Sequence, residues 1–157
     1  MKMNNRYIHR GKRKDNGEWI EGYLIQGNRT YIVTIEAINY MVVSASCMAS
    51  IELVEVIPKT VGQCTGLTDK NGRLIFTGDV LHIKTGEGWS CPVGTDVYYK
   101  VIFTEFNIEC YSCTEYIGFM AERSSGSLSS IYYIVTRYGA EVIGNIHDNP
   151  ELLEVEE

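Results

Sequence analysis

The feature that most constrains this chain is a period of two. "GDVLHIK" (78–84) places Leu81 and Ile83 on one side of an extended backbone, and Val80, His82 and Lys84 on the other. "DVYYKVIF" (96–103) does the same with Val97, Tyr99, Val101 and Phe103 against Tyr98, Lys100 and Ile102. "TYIVTIEA" (30–37) alternates in the same way, and "EWIEGYLI", "SIELVEVI", "IYYIVTRY" and "EVIGNIH" read as further strands. Successive side chains of a strand point to opposite faces, so these runs predict sheets with at least one buried side. Turn residues separate them at short intervals. Helical signal is confined to "DNPELLEVEE", where Asn149 is placed to cap, Pro150 to open the first turn and Glu151 to follow it. The expected fold class is mainly β: two small β-rich, barrel-like subdomains, 1–58 and 59–157, with one short C-terminal helical turn. Pro58-Lys59 marks the seam, and "TGEGWSCPVG" (85–94) and "RSSGSLSSI" (123–131) are the expected loops, the second flexible by composition.

Size supports that reading. A chain of 157 residues with 45% apolar content can bury a core without disulfides or metals. No uninterrupted apolar run reaches the length of a spanning helix, and the first nineteen residues do not resemble a signal peptide. The expectation is a soluble protein of the host cytosol. Five cysteines at irregular spacing fit reduced thiols better than a disulfide framework.

Charge is unevenly spread. The net charge is −6, yet Lys2, Arg6, Arg10, Lys12, Arg13 and Lys14 crowd the first fourteen residues with no acid among them. The rest of the chain holds 8 bases against 20 acids, near −12. Such a surface repels phosphate backbones at range, while the amino terminus attracts them.

The densest stretch is "CTGLTDKNGRLIFTGDV" (64–80), and it has an echo. "KDNGEWIEGYLI" (14–25) and "DKNGRLIFTGDVL" (69–81) share an Asp/Lys pair, then Asn-Gly, an apolar stretch and a second Gly. Asn-Gly favours the left-handed dihedrals that a two-residue hairpin turn requires, which places the tip at Asn71-Gly72. Asp69, Lys70, Asn71 and Gly72 are therefore expected to form a water-facing hairpin tip, not a catalytic group. On this reading Gly72→Val destabilises the fold and Asp69→Ala is mild.

At these residues the chain resembles the YopX family of phage and prophage proteins. "GQCTGLTDKNGRLIFTGDVLHIK" (62–84), "EVIGNIHDNPELL" (141–153) and "RYIHRGKRKDNGEWIEG" (6–22) carry the resemblance. Cys64 departs from it, standing where the family usually has an aromatic. Residues 86–94 and 107–130 have no counterpart in it. The resemblance implies a mostly β protein in two small parts, and it brings no reaction or catalytic residues.

Other constellations were weighed residue by residue. Cys110 and Cys113 have metal-ligand or redox spacing, but Cys47, Cys64 and Cys91 form no second pair. Glu105, Glu109 and Glu115 disfavour a thiolate there. His9, His82 and His147 are scattered singly, with no nucleophile or phosphate loop beside them. The expected catalytic, cofactor-binding and metal residues are none. Eleven tyrosines are an unusual number, and tyrosine suits protein interfaces. The expected function is a non-enzymatic phage or prophage accessory protein that binds itself or a host or phage protein, away from membranes. Residues 131–136, read as a tyrosine-rich edge strand, are its expected self-association segment, forming a homo-oligomer. The alternative is a nucleic-acid-binding small β-barrel module that uses the basic arm.

Overall fold

The structure, a computed structural model, describes residues 5–34, 53–87, 92–108 and 114–154. The chain forms two compact units, Met1–Cys64 and Thr65–Glu157, each described by itself. It is mainly β, as the alternation predicts, and its two sheets are antiparallel.

In the first unit, β1 (Ile8–Lys12), β2 (Trp19–Gln26), β3 (Thr30–Thr34) and the short β4 (Val54–Glu55) lie in the order β4-β3-β2-β1. The start of β5 (Gly62–Thr68) pairs with β1 through His9↔Gln63 and Arg10↔Gly62. Ile8, Ile32, Val33, Val54, Val56 and Cys64 are buried here. Gly22 of β2 is fixed by close approach: a Cβ on it would stand 2.0 Å from the Val33 carbonyl oxygen. The β1–β2 turn closes with Arg13 N–H donating to the Glu18 carbonyl (2.8 Å) and Gly17 N–H to that of Arg13 (3.1 Å). Gly17 takes φ +76°.

In the second unit, the end of β5 pairs with β6 (Leu74–Phe76). A five-stranded sheet is built from β7 (Asp79–Lys84), β8 (Asp96–Ile108), β9 (Thr114–Glu122), β10 (Leu128–Ser130) and β11 (Glu141–Asn145). Its order is β10-β9-β8-β7-β11. Leu81 and Ile83 pair with Tyr99 and Val97 on one face, and these four join Ile75, Val101, Ala121 and Val142 in the core. The stripe predicted on β8 runs out of cover at its end, since Phe103 is 54% exposed. It stands edge-on to Phe119, centroids 5.0 Å apart. Val80, expected on the opposite face, is also buried. The C-terminal turn lies against β8, with Leu153 beside Lys100 and Glu122.

One element differs from expectation. "IYYIVTRY" is not a strand but an α-helix, α1 (Ile131–Tyr138). Ile131 and Ile134 are buried and Val135 and Tyr138 partly so, which is the i, i+3, i+4, i+7 spacing of a helix face. Its ends are specified too. The Ser130 hydroxyl accepts from Tyr133 N–H (3.5 Å), and Gly139 takes φ +61° while its N–H donates to the Val135 carbonyl. β-Branched and aromatic residues favour strands only weakly, and caps plus a buried helical stripe override them here. Pairing between copies through an edge strand at 131–136 falls with this correction. The expected loop 123–131 likewise contains β10 and the helix cap, after a turn at Arg123–Ser127 with Gly126 at φ +80°.

The C-terminal turn is present as a 3-10 turn, Pro150–Leu153. Asn149 occupies the cap position but makes no side-chain capping bond. The work of turning the chain falls to Asn145, whose Oδ1 accepts from His147 N–H (2.9 Å) and Asp148 N–H (3.0 Å).

Candidate functional site

The two stretches 62–84 and 141–153 meet in space, and Asp69 is where they join. The β5–β6 turn closes with Asp69 N–H donating to the Arg73 carbonyl (2.8 Å) and Gly72 N–H to that of Asp69 (3.0 Å). Gly72 takes φ +83°, and among the described residues no non-glycine has positive φ, so Asn71 does not adopt the two-residue type I′ geometry. The tip is thus the five-residue turn 69–73. Its left-handed position is Gly72, as in the first hairpin at Gly17.

Asp69 is not a side chain in water. It is buried, and its carboxylate accepts from Asn71 N–H (2.8 Å), Arg73 N–H (2.9 Å) and Val142 N–H (3.1 Å). Burial alone would raise its carboxyl; the three donated hydrogen bonds and the Arg73 charge outweigh that and hold it below the usual range. The expectation of a mild Asp69→Ala is corrected accordingly. Around Asp69 the stitching continues: Lys70 N–H donates to the Ala140 carbonyl (3.1 Å) and Ile146 N–H to that of Gly78 (2.9 Å). Gly78 takes φ +86°, and Asp79, fully buried, accepts from Phe76 N–H (2.8 Å). Gly144 leaves room for the C-terminal turn, because a Cβ there would stand 2.5 Å from Asn149 Oδ1 and 2.9 Å from Leu152 Cδ1. These residues satisfy backbone groups and fix turns.

A charged row lies on the opposite face of the second sheet. His82 pairs across the ladder with Glu141 on one side and Tyr98 on the other. Its Nε2 stands 2.7 Å from Asp96 Oδ1 and its Nδ1 3.4 Å from Glu141 Oε1. Lys70 contacts Glu141 (2.6 Å) and Lys84 contacts Asp96 (3.6 Å). The His82 hydrogen bond holds the Asp96 carboxyl below its usual range, with help from Lys84. Lys70 first, then His82, do the same for Glu141. His147 lies in the turn after β11, and His9 Nδ1 contacts the Tyr7 carbonyl (3.1 Å). Burial lowers the His9 imidazole, partly offset by that contact.

Of the thiols, Cys64 is buried, while Cys47, Cys91, Cys110 and Cys113 lie outside the described residues. Among the described residues, no three His, Cys, Asp or Glu side chains cluster as metal ligands. No described helix is long and apolar enough to cross a membrane.

The basic arm is largely engaged within its own unit. Arg10 and Lys12 stack over Trp19, at 4.7 and 5.5 Å from the ring centroid. Arg13 pairs with Asp15 (2.6 Å) and Lys14 with Glu55 (2.7 Å).

The outward face of α1 differs from all of these. Tyr132 and Tyr133 are 64% and 52% exposed on a helix whose other face is in the core. Tyr133 meets Tyr138 edge-on at 5.3 Å, and the Tyr138 hydroxyl donates to that of Tyr133 (3.4 Å). Arg137, exposed, is four residues beyond Tyr133 on the same stripe.

The fold defines a small, mainly β protein with two antiparallel sheets, and Asp69 and Asp79 accept backbone N–H groups at its turns. The family model of the YopX protein matches residues 8–154, and the chain belongs to that family. No curated protein matches it.

Proposed function

We propose that this YopX-family chain acts by binding protein and not by catalysis, as a cytosolic accessory protein of a phage or prophage. The observation that carries this reading is the outward face of α1, which exposes Tyr132 and Tyr133 beside Arg137. Tyrosine supplies large contact area at low entropic cost, and its hydroxyl both donates and accepts. The first occupant proposed is a second copy. Two such helices crossing antiparallel about a two-fold axis set the Arg137 of each over the tyrosine rings of the other, so the face is complementary to itself.

Light scattering behind a sizing column tests this. The expected mass is that of two chains at micromolar concentration, and Tyr132→Glu with Tyr133→Glu is expected to give monomers that melt like wild type. A wild-type monomer would reject self-association.

The nucleic-acid alternative is disfavoured because Arg10, Lys12, Arg13 and Lys14 are already engaged with Trp19, Asp15 and Glu55. Binding to single- or double-stranded DNA is expected to be absent at roughly physiological salt.

A further inference from the structure

We propose that His82 is a proton-operated clamp that ties β7 to both β8 and β11. Donors and acceptors decide how the ring can bind. Each ring nitrogen faces a carboxylate oxygen, Nε2 that of Asp96 and Nδ1 that of Glu141. A carboxylate accepts and cannot donate, so each nitrogen must carry a proton to satisfy its partner. Neutral imidazole has one N–H. It can hold one carboxylate and turns a lone pair towards the other. The doubly protonated ring holds both.

The groups facing His82 come from every neighbouring element. β8 contributes Asp96 and the Tyr98 ring, 5.3 Å away and tilted. β11 contributes Glu141, the β5–β6 turn contributes Lys70 through Glu141, and β7 itself adds Lys84 through Asp96. The two lysines each have a carboxylate to neutralise them. Protonating His82 therefore adds a charge between two anions, with each cation set behind one of them. The His82 side chain is 17% exposed and that of Glu141 27%, while Asp96, at 48%, stands towards water.

The sign follows from this. The clamp is complete when the ring carries both protons, and one carboxylate contact is released when it loses one of them. Asp96 and Glu141, held below the usual carboxylate range, remain acceptors in both states of the ring. The proposal is independent of the tyrosine face of α1.

The test compares thermal unfolding of the full wild-type chain with His82→Gln between about pH 5.5 and pH 8. Glutamine keeps one donor and adds no charge. Wild type is expected to melt about 3–5 °C above the variant at the acid end, the gap closing to about 1 °C at the alkaline end. Asp96→Asn and Glu141→Gln, each made in the wild-type chain, are each expected to remove part of the pH-dependent gap. If His82→Gln fails to fold, ¹⁵N spectra of the His82 ring in wild type supply the answer. Two protonated nitrogens at the acid end and one at the alkaline end are expected. A gap independent of pH, or a ring with one proton throughout, would overturn the clamp.

Discussion

The two Asn-Gly hairpins begin from nearly the same sequence and end in different physical states. At the first, Arg13 to Glu18, the acid is Asp15, whose side chain is 61% exposed and paired with Arg13. At the second, Asp69 to Arg73, the acid is buried and accepts three backbone N–H groups, one of them from Val142 in β11. The Arg13 guanidinium lowers the Asp15 carboxyl to about 2, through a hydrogen bond chiefly, yet that pair sits in water. The depth of a pKa shift is thus no guide to what a group contributes. A solvated ion pair loses little when broken, while a buried carboxylate that serves three backbone N–H groups, that of Val142 buried and those of Asn71 and Arg73 partly so, loses more.

The second glycines of the two hairpins sharpen the comparison and give the largest expected effect. Gly22 is squeezed by backbone: its Cβ would overlap the Val33 carbonyl at 2.0 Å. Gly22→Ala is expected to cost about 4 kcal/mol or more, measured by urea unfolding, because strands must separate to admit a methyl group. Gly78 is there for its φ of +86°, and a Cβ would meet the side chains of Ile146 at 3.6 Å and His147 at 3.9 Å, both ordinary contacts. Gly78→Ala is expected to cost about 1–2 kcal/mol. Equal losses at the two glycines would break the distinction.

Next in size is Asp69→Ala, expected to cost roughly 3 kcal/mol at neutral pH by the same measurement. The pH dependence has a definite sign. A carboxyl held below its usual range contributes stability that is present above the ordinary carboxylate value, about 4, and is lost as pH falls through the lowered folded value. The gap between wild type and Asp69→Ala should therefore close in acid. Gly72→Val comes third, at about 1–2 kcal/mol, since open space surrounds the position and only its φ of +83° resists the substitution. Gly17→Val, at φ +76° and equally open, should match it. Smallest is Asp15→Ala, expected to leave the melting temperature unchanged within error despite its larger pKa shift.

The same comparison explains what could be read from the sequence. Alternation and Asn-Gly are local signals, so β2, β3, β7 and β8 and both hairpins with their left-handed glycines were legible. The helix was locally legible too, in Ser130, Gly139 and the Ile131, Ile134, Val135, Tyr138 spacing, but its β-branched and aromatic composition argued for a strand. Asp69 was half legible. Two of its three hydrogen bonds lie within four residues, but the one from Val142 spans 73 positions and depends on how β11 comes in beside the turn. The His82 row was illegible for the same reason. Asp96 and Glu141 stand 14 and 59 residues from it, and only the strand register puts them at its two nitrogens. Short-range chemistry survives in a sequence as pattern; chemistry made by register does not.

Within the second unit, Asp69 joins the β5–β6 turn to β11. Amide hydrogen exchange at Val142 tests it most directly, in wild type, Asp69→Ala and Asp15→Ala. Slow exchange is predicted in wild type and Asp15→Ala, with protection at Val142, Asn71 and Arg73 collapsing together in Asp69→Ala. Undiminished protection at Val142 in Asp69→Ala would contradict the claim and return Asp69 to the status of a solvent-facing turn residue.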